Sequence, residues 1–285
     1  EVPGGRALAL VYSGVGPGQT AAALTPTFTP PEVVDMRTYE LMATPIVYPG
    51  QRLSAALSAE RGNQGAVEVA YRLKVYGAED KLRTVDGPLV VLEPGKDAVL
   101  EWTLPDFGGQ PIAEMGFVIR AKGVRADGAV LVDHLRYEGT PDLHLRRPAE
   151  PSDFWRMAWV NGASFFSKRF PQSFRLSQDR GEGIIIHGTR EWRDYRVAAD
   201  TMIHLGNEAG VAVRVQGLRR YYAALLSRDG RLAIVRQRDE ERTVLAETCF
   251  DWQFETPYDV AVEADGAVIR ARIGGTVLTA EDASA

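Results

Sequence analysis

The chain has 285 residues, of which 45% are hydrophobic, 25% charged and 9% aromatic. At ~150 residues per domain that length points to roughly two domains with cores of their own, and the composition excludes wholesale disorder, collagen and coiled coil. A formal charge of −5 argues against a uniformly cationic nucleic-acid binder, and no apolar run approaches the ~20 residues of a membrane span.

The chain opens on Glu1 with no initiator Met, basic segment or apolar leader, and so reads as a processed product or an excised segment. Residues 7–12 read as a short strand. The Gly14, Gly16, Pro17, Gly18 cluster and the Thr/Pro stretch to Pro31 read as an extended connector, so 1–32 is taken as an N-terminal strand and linker. From Val33 the pattern is short alternating runs separated by turn residues, the mark of an antiparallel sandwich. Strands are expected at 38–44, 52–58, 66–76, 89–92, 98–104, 116–122 and 129–137, with turns at Pro49-Gly50, Pro94-Gly95 and Asp127-Gly128 among others. In 67–75 the apolar residues Val67, Val69, Tyr71, Leu73 and Val75 alternate with Glu68, Arg72 and Lys74, one face for a core and one for water.

A second boundary is expected near 145–153, where Arg146-Arg147-Pro148 opens a linker, so that the domains run 33–147 and 152–285. Beyond it strands are expected at 174–178, 183–187, 195–205, 210–216, 220–227, 231–236, 244–250, 258–263, 268–273 and 276–279, joined by hairpins at Asp229-Gly230, Asp265-Gly266 and Gly274-Gly275. The fold class is therefore all-β, two tandem antiparallel β-sandwiches of the jelly-roll kind.

Catalytic constellations are missing. There is no Gly-x-Ser-x-Gly elbow, and Cys249, the one cysteine, reads as a buried and inert thiol. It leaves no internal disulfide and no Cys-based zinc site. His134, His144, His187 and His204 lack ligand spacing, so no cofactor is expected; the one metal the sequence leaves room for is a structural calcium held by Asp-bearing loops. Glu263 and Asp265 alternate as glycosidase carboxylates would, yet Asp265-Gly266 reads as a turn. An enzyme would need dispersed carboxylates, with Glu191, Asp200, Glu247 and Glu263 the first to test.

What remains is an aromatic and arginine-rich surface. The chain has five Lys against 28 Arg, which favours planar bidentate contacts, and fifteen of its 25 aromatic residues fall in the last 135 positions. Arg190, Trp192, Arg214, Gln216, Arg220 and Tyr222 set flat rings beside in-plane donors, the pairing that recognises sugars. Arg214 and Gln216 alternate with Val211, Val213 and Val215 and suggest a polar floor. For each ring taken singly, a place in a core is the plainer expectation. Residues 190–242 hold eleven Arg against eight acidic residues, too small an excess for a nucleic-acid groove.

The run "EWRDYRVAADTMIHLGNEAGVAVRVQGLRRYYAALLSRDGRLAIVRQ" resembles concanavalin-like jelly-roll domains of the type associated with 3-keto-disaccharide hydrolases and family-16 glucanases. That resemblance implies a concave, carbohydrate-binding sheet, without the glucanase Glu-x-Asp-x-x-Glu pattern. "YPGQRLSAALSA" and "VLVDHLRYEGTPDL" are similar in style to galactose-binding-like modules, and "WRMAWVNG", "GTREWRDY" and "VQGLRRYY" resemble the β-rich tail of bacterial ADP-ribosylglycohydrolase-type proteins. The last resemblance implies an upstream catalytic domain in the same polypeptide, an ADP-ribosyl or carbohydrate ligand, and a cytoplasmic setting; without it a secreted protein is expected. Neither nucleic acid nor membrane is an expected partner. The jelly-roll resemblance also implies a closing strand after "TVLTAEDASA"; unless an N-terminal segment such as 7–12 substitutes for it, an exposed sheet edge or a truncated chain is expected.

Overall fold

A computed structural model describes residues 7–28, 44–148, 152–170 and 173–284. The strand expected at 38–44 falls, except for Thr44, outside the described residues. The chain divides into two compact units, Glu1–His187 and Gly188–Ala285.

The first unit is a sandwich of β1 Leu8–Val15, β2 Thr20–Pro26, β3 Arg52–Ala59, β4 Val67–Tyr76, β5 Leu82–Asp86, β6 Val90–Leu92, β7 Asp97–Thr103, β8 Ile112–Ala121 and β9 Ala126–Glu138. One sheet runs β1-β9-β3-β7 and the other β2-β8-β4-β5, with β6 also on β4. Since β5 pairs with Arg72–Tyr76 and β6 with Val67–Val69, the two are one edge strand interrupted at residues 87–89. Counted so, the eight strands have the double Greek-key order of a jelly roll. The expected alternation builds the core: Leu53, Ala55 and Leu57 of β3 meet Val69, Tyr71 and Leu73 of β4, with Tyr71 and Phe117 at 5.2 Å between ring centres.

β1 runs on to Val15, and the expected connector is instead a tight turn closed by the Gln19 N–H on the Gly16 carbonyl at 3.0 Å and followed by β2, which pairs with β8 from Thr20↔Arg120 to Pro26↔Glu114. Its Ala/Thr/Leu run carries no charge to advertise a sheet edge, which is why the pattern read as linker. The segment after Pro148 belongs to the first unit as far as His187. It carries a 3-10 turn, Phe154–Ala158, and two short ladders, β10 Val160–Asn161 with β13 Ile185–Ile186 and β11 Phe165–Phe166 with β12 Leu176–Ser177. Trp155, Trp159, Phe166 and Phe174 pack mutually with ring centres 5.2–6.4 Å apart. Arg147 lies 4.8 Å from the Trp155 ring and donates to the carbonyls of Lys168, Arg169, Phe170 and Ser173.

The second unit stacks two four-stranded antiparallel sheets, β14-β19-β20-β21 and β15-β16-β17-β18. The strands are β14 Tyr195–Thr201, β15 Glu208–Gly217, β16 Arg220–Ser227, β17 Arg231–Arg238, β18 Glu241–Cys249, β19 Tyr258–Asp265, β20 Val268–Ile273 and β21 Thr276–Glu281. Tyr222, Ala224, Leu226, Leu232 and Ile234 of one sheet face Val260, Val262, Ala264, Ile269 and Ala271 of the other. All three expected hairpins form, through turns after Ser227, Asp265 and Ile273.

Candidate functional site

The β16–β17 hairpin turns on Arg228-Asp229-Gly230. Gly230 takes φ +78, the left-handed conformation that closes a three-residue loop. The loop after β18 lies against it: the Phe250 N–H donates to the Gly230 carbonyl at 2.8 Å, and the Trp252 indole N–H donates to the Ser227 carbonyl at 2.6 Å. These two bonds open a cleft lined by Arg228, Asp229, Gly230, Asp251, Trp252, Gln253 and Phe254. It is an open depression rather than an enclosed cavity, with about 590 Å³ of space along its walls.

The rings in the cleft are held rather than loose. Trp252 and Phe254 meet edge to face at 5.0 Å, and Phe254 stays 39% exposed. The Arg228 guanidinium sits 5.9 Å from the Phe254 ring centre. The Gln253 backbone N–H donates to the Tyr258 hydroxyl at 2.9 Å. Asp229 is partly neutralised by Arg231 at 3.3 Å. Among the described residues Arg228 and Asp251 form no ion pair, so a cationic and an anionic hydrogen-bonding group stand ready beside two fixed rings.

The residues singled out from sequence lie elsewhere. Trp192 meets the Tyr195 ring edge to face at 5.8 Å, and the Tyr195 hydroxyl accepts the Arg214 backbone N–H at 2.6 Å. Burial pushes the Tyr195 hydroxyl pKa up. Arg214 occupies a bulge with φ +51 and its side chain is only 11% exposed. It donates to the Arg193 carbonyl and to Asp194, each at 2.8 Å. Asp194 also accepts the Gly266 N–H at 2.9 Å, and this bond, ahead of the Arg214 contact, holds its carboxyl below the usual range.

The structure thus gathers Trp192 and Arg214 around Tyr195, with Arg190 exposed in the turn before them. It does not bring in the others. Arg220 is paired through both its arms with Asp239, while Tyr222 is a core residue whose hydroxyl donates to Asp282 at 3.1 Å. Gln216 is exposed, and the floor it was expected to share with Arg214 is interrupted. Between the pairs Val213↔Tyr222 and Gly217↔Arg220 three residues of β15 oppose one of β16, which breaks the alternation.

The dispersed carboxylates do not converge. Glu247 is across from Ala233 on the outer face of its sheet, where it pairs with Arg231. Glu263 is on the outer face of the opposite sheet, 3.9 Å from Arg270. Asp200 shares that face, but it stands across from Asp259, four positions along β19 from Glu263. Cys249, expected to be buried, is exposed at the end of edge strand β18, on the outward parity it shares with Glu247. Among the described residues no three His, Cys, Asp or Glu side chains gather as a metal site.

The cleft went unseen in the sequence because its residues come from a hairpin turn and a loop whose closeness only the sheet register decides. The available signal was the alternation of polar and aromatic residues in Asp251-Trp252-Gln253-Phe254, just beyond a strand. No family model matches the chain. No curated protein matches it either. Among solved structures it is similar to the mouse laminin alpha1 chain, domains LG4-5, at 11% identity and a TM-score of 0.27, over 99% of this chain and 80% of that one; a likeness at that score carries no argument about function.

Proposed function

We propose that the second sandwich is a non-catalytic carbohydrate-binding module whose site is the Trp252–Phe254 cleft. The observation that carries the reading is the fixed indole of Trp252, held by the Ser227 carbonyl, beside Arg228 and Asp251, neither of which has an ion-pair partner among the described residues. A pyranose lays its C–H face on an aromatic ring, while its hydroxyls need donors and acceptors in the ring plane; Arg228, Asp251 and Gln253 supply both kinds. Preorganisation of the indole lowers the ordering cost of binding.

In the same proposal the chain is the binding portion of a larger hydrolase of the ADP-ribosylglycohydrolase type, with catalysis supplied by a domain outside these residues. A glycan array followed by calorimetry, with ADP-ribose as a parallel titrant, tests the reading. Binding of at least one glycan, weakened tenfold or more by Trp252→Ala and by Arg228→Ala, is the expected result. Silence on every glycan overturns it, and binding of ADP-ribose alone replaces the sugar by a nucleotide glycoside.

A further inference from the structure

The two walls of the cleft differ in charge. One is the turn Arg228-Asp229-Gly230, where Asp229 is held by Arg231 at 3.3 Å and by the Ser227 hydroxyl. The other is the loop after β18, which brings Asp251, Trp252, Gln253 and Phe254 to the cleft. Residues 243–269 hold no Lys, Arg or His, while they include Glu247, Asp251, Glu255, Asp259, Glu263 and Asp265. The segment that carries both rings is therefore purely acidic in a chain with 33 basic residues. Of its carboxylates Asp251 is the one that lines the cleft, and among the described residues no hydrogen bond or ion pair holds it.

The rings of this wall make a corner. The planes of Trp252 and Phe254 stand at 75° to one another, with 5.0 Å between ring centres. An aromatic face attracts a cation, and an indole does so most strongly. At Phe254 that attraction is already taken up by the Arg228 guanidinium, 5.9 Å from the ring centre. Among the described residues no Lys or Arg stands over the Trp252 ring. An indole without a cation and a carboxylate without a partner thus line the same cleft. Ring and carboxylate favour the same charge, and a compact ammonium group satisfies both.

We infer that the sugar taken by this cleft is an amino sugar with a free, protonated amine: its C–H face lies on Trp252, its ammonium group meets Asp251, and its hydroxyls are left to Arg228 and Gln253. This rests on the carbohydrate reading of the cleft and adds the substituent that distinguishes the ligand. A neutral sugar would use Asp251 as an acceptor and leave its charge uncompensated. An acidic sugar would gain Arg228 alone, at the cost of bringing a second carboxylate toward the acidic wall. Asp229 already shares Arg231, so the ammonium group belongs to Asp251.

Calorimetry on the full chain tests the inference with matched methyl glycosides of glucose, 2-amino-2-deoxyglucose, N-acetylglucosamine and glucuronic acid, and with the corresponding galactose set. The titrations are run at about pH 6.5, below the ~8 at which an α-amino group loses its proton. The amine is expected to bind about tenfold more tightly than its neutral and N-acetylated counterparts. Raising sodium chloride from about 0.05 M to about 0.5 M is expected to shrink that advantage several-fold by screening. Asp251→Asn keeps an acceptor for a hydroxyl but removes the charge, and the ratio of amine to neutral affinity is expected to fall several-fold. Equal affinity for amine and neutral members in the intact chain overturns the inference and leaves the carbohydrate reading standing, as does tighter binding of the glucuronide. An amine advantage that Asp251→Asn retains also overturns it, since another group then holds the ammonium. An advantage unmoved by salt overturns it too, and decides the matter if the variant binds neither member. Absence of binding across every set overturns the carbohydrate reading together with the inference.

Discussion

His187 closes the first unit with a neutral ring. Its Nδ1 is 2.9 Å from the Ala158 carbonyl, and the ring packs on Trp159 at 4.8 Å and on Tyr48 at 5.5 Å. Burial outweighs the carbonyl and pushes its pKa down to about 4. An unfolded chain, with a histidine near 6.5, binds more protons than the fold between those values, so the stability tied to His187 is present above ~6.5 and is lost as pH falls to about 4. Chemical denaturation at successive pH values is expected to show this slope, worth up to about 3 kcal/mol, and His187→Phe is expected to flatten it. A slope unchanged in that variant would place the titrating group elsewhere. At Asp282 the shift is also downward, but hydrogen bonds cause it and burial opposes it. Bonds from Ser284, Arg236 and Tyr222 prevail and hold the carboxyl well below the ordinary range, tying the chain beyond β21 to β16 and β17.

At the scale of elements, the strand pattern of the sequence survives where alternation is strict and fails where a side chain from far away completes the backbone. Asp127-Gly128 has the composition of a hairpin turn, yet both residues lie inside β9. Asn63 is the cause. Its side chain donates to the Ala129 carbonyl at 2.8 Å and accepts the Ala129 N–H at 2.9 Å, so it stands in for a missing strand neighbour. Gly128 has φ +152, and a Cβ there would meet the Asn63 Oδ1 at 2.1 Å. Asp127 is used across the ladder as well, accepting the Gly14 N–H at 2.7 Å and the Ser13 hydroxyl at 2.9 Å. Gly128→Ala is therefore expected to cost about 2 kcal/mol or more, well above a solvent-exposed strand glycine, because both strain and displacement of Asn63 oppose it. A thermal melt checks this, and an unshifted midpoint would mean that Asn63 moves aside freely.

For the molecule as a whole, the all-β class and the antiparallel sandwiches were legible in periodicity and turn chemistry, whereas the site was not. The excess of Arg over Lys drew attention to the strands after Thr189, and there the arginines act chiefly within the fold: Arg214 bridges Arg193 and Asp194, Arg220 grips Asp239, and Arg236 holds Asp282. The same chemistry that makes arginine a good ligand donor makes it a good strand-to-loop tie, and sequence does not distinguish the two. Arg228 differs in having no carboxylate partner among the described residues; it stands 5.9 Å from the Phe254 ring centre. The same ambiguity holds for the rings, since Trp192 lies against Tyr195 while Trp252 lines an open cleft. The most direct measurement is therefore a comparison of Trp252→Ala with Trp192→Ala, titrated calorimetrically with the glycan that the intact chain binds best. Loss of tenfold or more in affinity for Trp252→Ala, with Trp192→Ala close to the parent, is the predicted result; unchanged affinity in Trp252→Ala, or the reverse ranking, would contradict it.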